Sequence, residues 1–196
     1  MGFGNQLKNL QQNKNIALIK HAHSGTNLYA QWNPGKNNTD SLNWGVQYKV
    51  FVKTVEAGLE ELKKKGFKPR VKGMIWQQGE NDADNLSESA NYARNLSQFI
   101  KRVRNQFNSP KLKFIYGYVY PPPNKGEGRD NVRKAQFAVS QDAKTEWSVK
   151  NAWVVETDDL NHRADDLGSP YPKDHVHFGS DGILKLGVRM AEGMIK

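Results

Sequence analysis

The chain has 196 residues, is 37 % hydrophobic, contains no cysteine and carries a formal charge of +9 at pH 7. That length suits one domain with a real core, and five tryptophans supply large areas to bury in it. The lack of cysteine excludes disulfides, thiolate metal sites and cysteine nucleophiles, and no apolar run reaches the ~18 residues a membrane span needs. Met1-Gly2-Phe3-Gly4 also lacks the charged start and apolar core of a signal peptide.

The charge is unevenly spread. Between Glu156 and Asp181 seven acids face only Arg163 and Lys173, so that segment is net −5 and the remainder is +14. The basic residues occur in runs such as Lys63-Lys64-Lys65 and Lys101-Arg102-Val103-Arg104, at expected helix ends and exposed faces. Lysines in a last helical turn oppose the helix dipole, which accounts for such positions without a polyanion.

In chain order, Asn15 to Lys20 is a short apolar run read as a buried strand, ending in the polar turn His21–Thr26. Val46, Val50, Phe51, Val55, Leu59 and Leu62 keep helical spacing within Trp44–Lys65, and Gly66 stops that helix. Lys72 to Trp76 is the next strand. Ser87 is the expected cap of a helix striped by Tyr92, Leu96, Phe99, Ile100, Val103 and Phe107. Lys113–Tyr118 reads as a strand closed by Pro121-Pro122-Pro123, Arg129–Lys144 as a helix, and Ala152–Glu156 as a strand. The acidic stretch Thr157–Gly182 is long for a loop in a compact domain, and such loops are usually functional or disordered. Asp181–Ile195 closes the chain as a helix. Strands alternating with helices predict a parallel sheet covered on both faces, with the turns after the strands converging at the carboxyl ends.

Two of those turns carry chemistry-bearing residues. Met74-Ile75-Trp76 empties into Gln77-Gln78-Gly79-Glu80-Asn81-Asp82, a set of donors, an acceptor and close backbone access. It reads either as a binding turn or as an ordinary loop whose Asn81 or Asp82 caps the next helix. In Asp174-His175-Val176-His177, an aspartate three residues before a histidine can orient its imidazole and stabilise the imidazolium, or simply belong to a polar surface loop. His21, His23, His175 and His177 with nearby aspartates also allow a metal arrangement.

The stretches IALIKHAHSGTNL with Trp32 following, MIWQQGENDA, Thr157-Asp158-Asp159-Leu160 and DHVHFGSDG together resemble the SGNH-type hydrolases. The similarity is to the acetylesterase branch with sialate O-acetylesterase-like and acetylxylan esterase-like proteins, and it covers nearly the whole chain. It implies a three-layer α/β/α sandwich with a parallel sheet, of the SGNH or flavodoxin-like kind, in a single domain over residues 1–196. It implies His177 as general base and Asp174 as its orienting acid. Gly25 and Gln78 would be the oxyanion donors, and Glu80 a supporting residue that bonds His177 or anchors its loop. No metal or organic cofactor is implied.

Two features depart from the family's pattern. Ser24 stands where a second glycine is usual, and the first block, a strand ending in Gly-x-Ser with the nucleophile, is absent. That block is expected upstream of Met1, and its strand is expected in the centre of the sheet, between Asn15–Lys20 and Lys72–Trp76. Its loss would leave strand edges unpaired. The chain thus reads as a fragment of a carbohydrate O-acetylesterase acting on acetylated sugars, with Trp32 and Tyr171 as candidate sugar platforms or core and rim residues. The alternative is an inactive esterase-like domain that binds glycan or polyanion. Neither nucleic acid nor membrane is an expected partner of the esterase, and the resemblance leans toward an extracellular or periplasmic location.

Overall fold

The computed structural model describes residues 2–12, 14–119 and 126–196. Within them β1 (Gly73–Trp76), β2 (Lys113–Gly117) and β3 (Ala152–Val155) form a parallel sheet in the order β1-β2-β3. Neighbouring parallel strands need a crossover between them. Here α5 (Tyr92–Gln106) lies between β1 and β2, and α6 (Gly126–Val139) between β2 and β3. The short helices α3 (Glu80–Ala83) and α4 (Leu86–Ala90) lead from β1 into α5, while α2 (Val46–Lys64) precedes β1 and α7 (Ser180–Gly193) follows β3.

Side chains alternate across β2 and divide the interior in two. Phe114 and Tyr116 enter a core built with Tyr48, Phe51 and Val52 of α2, Phe99 and Ile100 of α5, and Val132 of α6. Ile115 points the other way, into a smaller core with Trp153 of β3 and Leu186 and Met190 of α7. The result is the expected α/β/α arrangement. Burying a side chain such as Phe99 or Ile115 completely contributes roughly 1.5–3 kcal/mol, so both cores help fix the sheet. The end of α2 is as expected: Gly66 takes φ +83° and Phe67 N–H bonds Leu62 O at 3.0 Å.

Several expectations are corrected. Helix α1 (Gly2–Leu10) packs on α7, where a Cβ at Gly187 would come 2.5 Å from Phe3 N. A Gly-Phe-Gly start has low helix propensity and gave no sign of it; the docking on α7 overrides that. Asn15–Lys20 is not a strand and is not buried, since Leu18 is 59 % and Ile19 37 % exposed. Its alternate side chains nevertheless face opposite layers, Leu18 against Gly4 of α1 and Ile19 against Gly58 of α2. What it lacks is a ladder partner. β1 has no strand on its other edge among the described residues, and Ile75, in register with the fully buried Ile115 of β2, is 39 % exposed.

Ser87 does not cap the helix striped by Tyr92 and Leu96: it lies inside the short α4, whose cap is Asn85, accepting from Ser87 N–H and Glu88 N–H, while α5 starts at Asn91 without a side-chain cap bond. Arg102 and Arg104 are buried rather than exposed; Arg104 donates to Leu112 O and Asn151 O and so ties α5 to the starts of β2 and β3. α6 ends at Val139 instead of continuing to Lys144. Pro121–Pro123 lie outside the described residues. Among those described, no helix is long and apolar enough to cross a membrane.

Candidate active site

The turn after β1 is fixed by its backbone. Gly79 takes φ +145°, and a Cβ there would come 2.8 Å from Val132 Cγ1, so only glycine lets α3 start so close to α6. That turn aims two polar side chains inward. Asp82, completely buried, accepts Leu28 N–H at 2.8 Å, Tyr29 N–H at 3.0 Å and Gln78 Nε2–H at 2.6 Å. Burial pushes its carboxyl above the ordinary value, against those three hydrogen bonds. Asp82 is therefore not a helix cap. It fastens the 26–29 loop to the end of β1.

Gln78 joins the same network. Its second amide proton goes to Thr26 O at 3.0 Å, and its Oε1 accepts from the Tyr92 hydroxyl at 3.1 Å. Both amide protons are thus committed to protein acceptors. Behind it, fully buried Gln136 donates to Gly117 O at 3.1 Å and to Gln78 O at 3.3 Å, while accepting Val119 N–H at 2.9 Å. Two buried glutamines, a tyrosine and an aspartate together tie the ends of β1 and β2 to α6 and the 26–29 loop. Gly25 lies at the edge of this cluster. It is exposed, its φ of +65° is left-handed, and no acceptor among the described residues takes its N–H. Ser24 beside it is exposed, and its carbonyl accepts from His23 Nδ1–H at 3.0 Å.

A second cluster hangs from the loop after β3. Asp174 accepts Val176 N–H at 3.1 Å, His177 N–H at 3.0 Å and the His177 ring, whose Nδ1 lies 2.9 Å from Oδ2 and 3.0 Å from Oδ1. A carboxylate can only accept, so Nδ1 carries a proton, and in the neutral ring Nε2 is then the acceptor. The side chain of His177 is 61 % exposed. Partial burial raises the Asp174 carboxyl, but the hydrogen bonds from residues 176 and 177 outweigh it and hold the group at about 2. The loop is ordered by its own short-range bonds. Arg163 N–H donates to His177 O, Ala164 N–H to Asp174 O, and His162 pairs with Phe178 in an antiparallel bridge.

The structure thus brings Gly25, Thr26 and Gln78 together, and separately Asp174 and His177. Both clusters lie at the carboxyl edge of the sheet, after β1 and after β3. No hydrogen bond or ion pair among the described residues joins them. Glu80 does not bond His177; its charge acts on the buried Arg129 of α6, whose guanidinium burial pulls below its ordinary value. Trp32 is core rather than platform, 4 % exposed and T-shaped against Trp76 at 4.9 Å. Tyr171 is on the rim. The metal arrangement is not assembled: among the described residues no three His, Asp or Glu side chains gather, and His21 instead bonds Gln47 Oε1 at 3.0 Å. Asp82 was expected only in the turn or as a helix cap, and Gln136 was not expected in the site at all. The sign available for Gln136 was a glutamine on the core face of a helix, beside Val132 and Val139.

Comparison with known proteins agrees with this architecture. Residues 1–196 match the family described as carbohydrate esterase, sialic acid-specific acetylesterase. A protein of Arabidopsis thaliana named as a probable carbohydrate esterase is 25 % identical over 197 aligned residues, covering 100 % of this chain and 62 % of that protein. The X-ray structure of an Arabidopsis thaliana protein superposes with a TM-score of 0.73 at 23 % identity, covering 98 % of this chain and 66 % of the other. The chain therefore spans a little under two thirds of the length of these relatives.

Proposed function

The chain belongs to the sialic acid-specific acetylesterase family of carbohydrate esterases, and from that premise we propose that it supplies the base and oxyanion site of a carbohydrate O-acetylesterase. The observation that carries the reading is the Asp174–His177 pair, in which the carboxylate holds the imidazole by Nδ1 in a side chain that is 61 % exposed, so that Nε2 is the acceptor of the neutral ring. A serine hydroxyl attacks the acetyl carbonyl, and its proton passes to His177 Nε2 as the serine Oγ bonds to the acyl carbon. The tetrahedral intermediate then expels the sugar oxygen, which takes that proton back. Water repeats the sequence on the acetyl-serine and releases acetate.

The developing oxyanion takes the free Gly25 N–H. Gln78 joins it by exchanging its bond to Thr26 O for the acyl oxygen, which is supported by the closeness of its amide to the Gly25–Thr26 turn. One such donor is typically worth about 3 kcal/mol of barrier. The serine belongs to a strand ahead of Met1. The edge of β1 that no strand occupies among the described residues, and the two-layered placement of Leu18 and Ile19, support a strand in that position.

A second reading, an inactive esterase-like domain that holds glycan or polyanion, is favoured by the full commitment of the Gln78 amide. The two separate on coding DNA and assay. The esterase reading expects an open frame ahead of Met1 that encodes a strand and Gly-x-Ser, and aryl acetate hydrolysis by the protein carrying it. An in-frame stop with no such strand, or no hydrolysis by the extended protein, would leave the binding reading.

A further inference from the structure

The bonds between Asp174 and His177 are internal to their loop, so they fix the imidazole relative to the loop but not the loop relative to the sheet. The loop has almost no core of its own: of residues 161–178, His162 alone is buried, at 6 % exposure. Histidine is only intermediate in its tendency to be buried, so its place beneath the loop calls for a reason. Its ring lies close to parallel with that of Phe178, the centroids 5.7 Å apart and the planes at 29°. Phe178 in turn packs against the smaller core of Ile115, Trp153, Leu160, Leu186 and Met190. Burial draws the His162 ring below its ordinary value, against the pull of the Asp165 carboxylate, and so favours an uncharged ring in that contact.

Main-chain bonds gather around that ring. His162 and Phe178 form the antiparallel bridge, and beside it Arg163 N–H donates to His177 O at 2.9 Å and Gly179 N–H to Asn161 O at 2.8 Å. Ala164 N–H adds a bond to Asp174 O at 3.1 Å. His162 N–H is itself held by Asp165 Oδ2 at 2.8 Å, and its Nδ1 lies 3.7 Å from the same oxygen. A Cβ at Gly179 would come 2.6 Å from His162 O, so the strip 161–163 meets the residue before α7 backbone to backbone. Both members of the pair, Asp174 and His177, thus take a main-chain bond from the two residues that follow His162. The buried ring reaches the core through Phe178, and these bonds carry its fixed position to the imidazole.

We propose that His162 is a positioning residue for His177: its ring, packed on Phe178, fixes the loop that carries the base against the core. The catalytic part of this role rests on the esterase reading; the anchoring does not. The test pairs 15N relaxation on the 196-residue chain with kcat and KM for an aryl acetate in the extended protein, each with His162→Ala and His162→Phe. The His177 and Phe178 N–H order parameters are expected near ~0.85 in the unsubstituted chain, below ~0.6 in His162→Ala, and near the first value in His162→Phe, which keeps a flat ring. In the extended protein His162→Ala is expected to lose at least ~10-fold in kcat with KM unchanged within ~2-fold, and His162→Phe to recover most of that loss. Urea unfolding establishes that each variant is folded under the assay conditions. His162→Leu, which fills the space without a flat ring, serves where the alanine variant does not fold and is expected to give the same losses. Unchanged order parameters in the alanine or leucine variant, or a loosened loop with unchanged kcat, would overturn the proposal. An extended protein that hydrolyses nothing while the loop still loosens would sink the esterase reading alone. A hydrolysing protein whose loop and kcat ignore the substitution would sink the role of His162 alone.

Discussion

The polar side chains after β1 and those after β3 are held by opposite means. Asp82, Gln78, Gln136 and Tyr92 are buried and bonded to groups far away in sequence, such as Leu28 N–H and Gly117 O. Asp174 and His177 are bonded almost entirely to their own loop, and His177 is mostly exposed. The first arrangement is coupled to folding, because an unmade bond there strands a buried group. The second sets the tautomer and direction of one imidazole at little cost to the fold. A substitution at the first wall should thus be read as a change in stability, and one at the second as a change in chemistry.

The largest expected effect is at Asp82. Asp82→Ala leaves the buried Leu28 N–H, the half-buried Tyr29 N–H and a buried Gln78 amide proton without an acceptor and is expected to cost about 3 kcal/mol in urea unfolding. A loss under ~1 kcal/mol would remove the distinction between the walls. Gln136→Leu, close in size, strands Val119 N–H and Gly117 O and is expected to cost about 2 kcal/mol by the same measurement. A neutral result would mean that Gln136 is replaceable packing.

The second wall is expected to respond to pH. The Asp174 carboxyl, held at about 2, lies below its ordinary value of 3.8. A depressed carboxyl contributes order that is present above the ordinary value and is lost as pH falls through the folded one. The amide shifts of Val176 and His177 should therefore move on acidification toward pH 2, and this step should vanish in Asp174→Asn. A step centred near the ordinary carboxylate value would show that the hydrogen bonds of the loop do not favour the anion.

These two walls also differ in how readable they were. Asp174 and His177 are three residues apart and bond each other, so the local spacing D-x-x-H carried the pair. Asp82 bonds residues 53 and 54 positions away, and its sequence neighbourhood suggested only a helix cap. The three strands of the parallel sheet and the helices α2, α5 and α7 were legible because their apolar spacing matches the layers they bury, whereas the order of the strands was not. Asn15–Lys20 was misread for the converse reason. An apolar run specifies which faces are covered, and Leu18 and Ile19 do face two helical layers, but it does not specify the neighbouring strand that a ladder requires. Arg102 and Arg104 were misplaced because charge alone says nothing of the carbonyls of Leu112 and Asn151 that Arg104 finds.

The most direct test of the proposed base compares hydrolysis of an aryl acetate by the extended protein and by its His177→Ala variant. The account predicts a fall in kcat of about 1,000-fold or more, with unfolding free energy unchanged within ~0.5 kcal/mol because the side chain is exposed. Equal rates from the two proteins would contradict it.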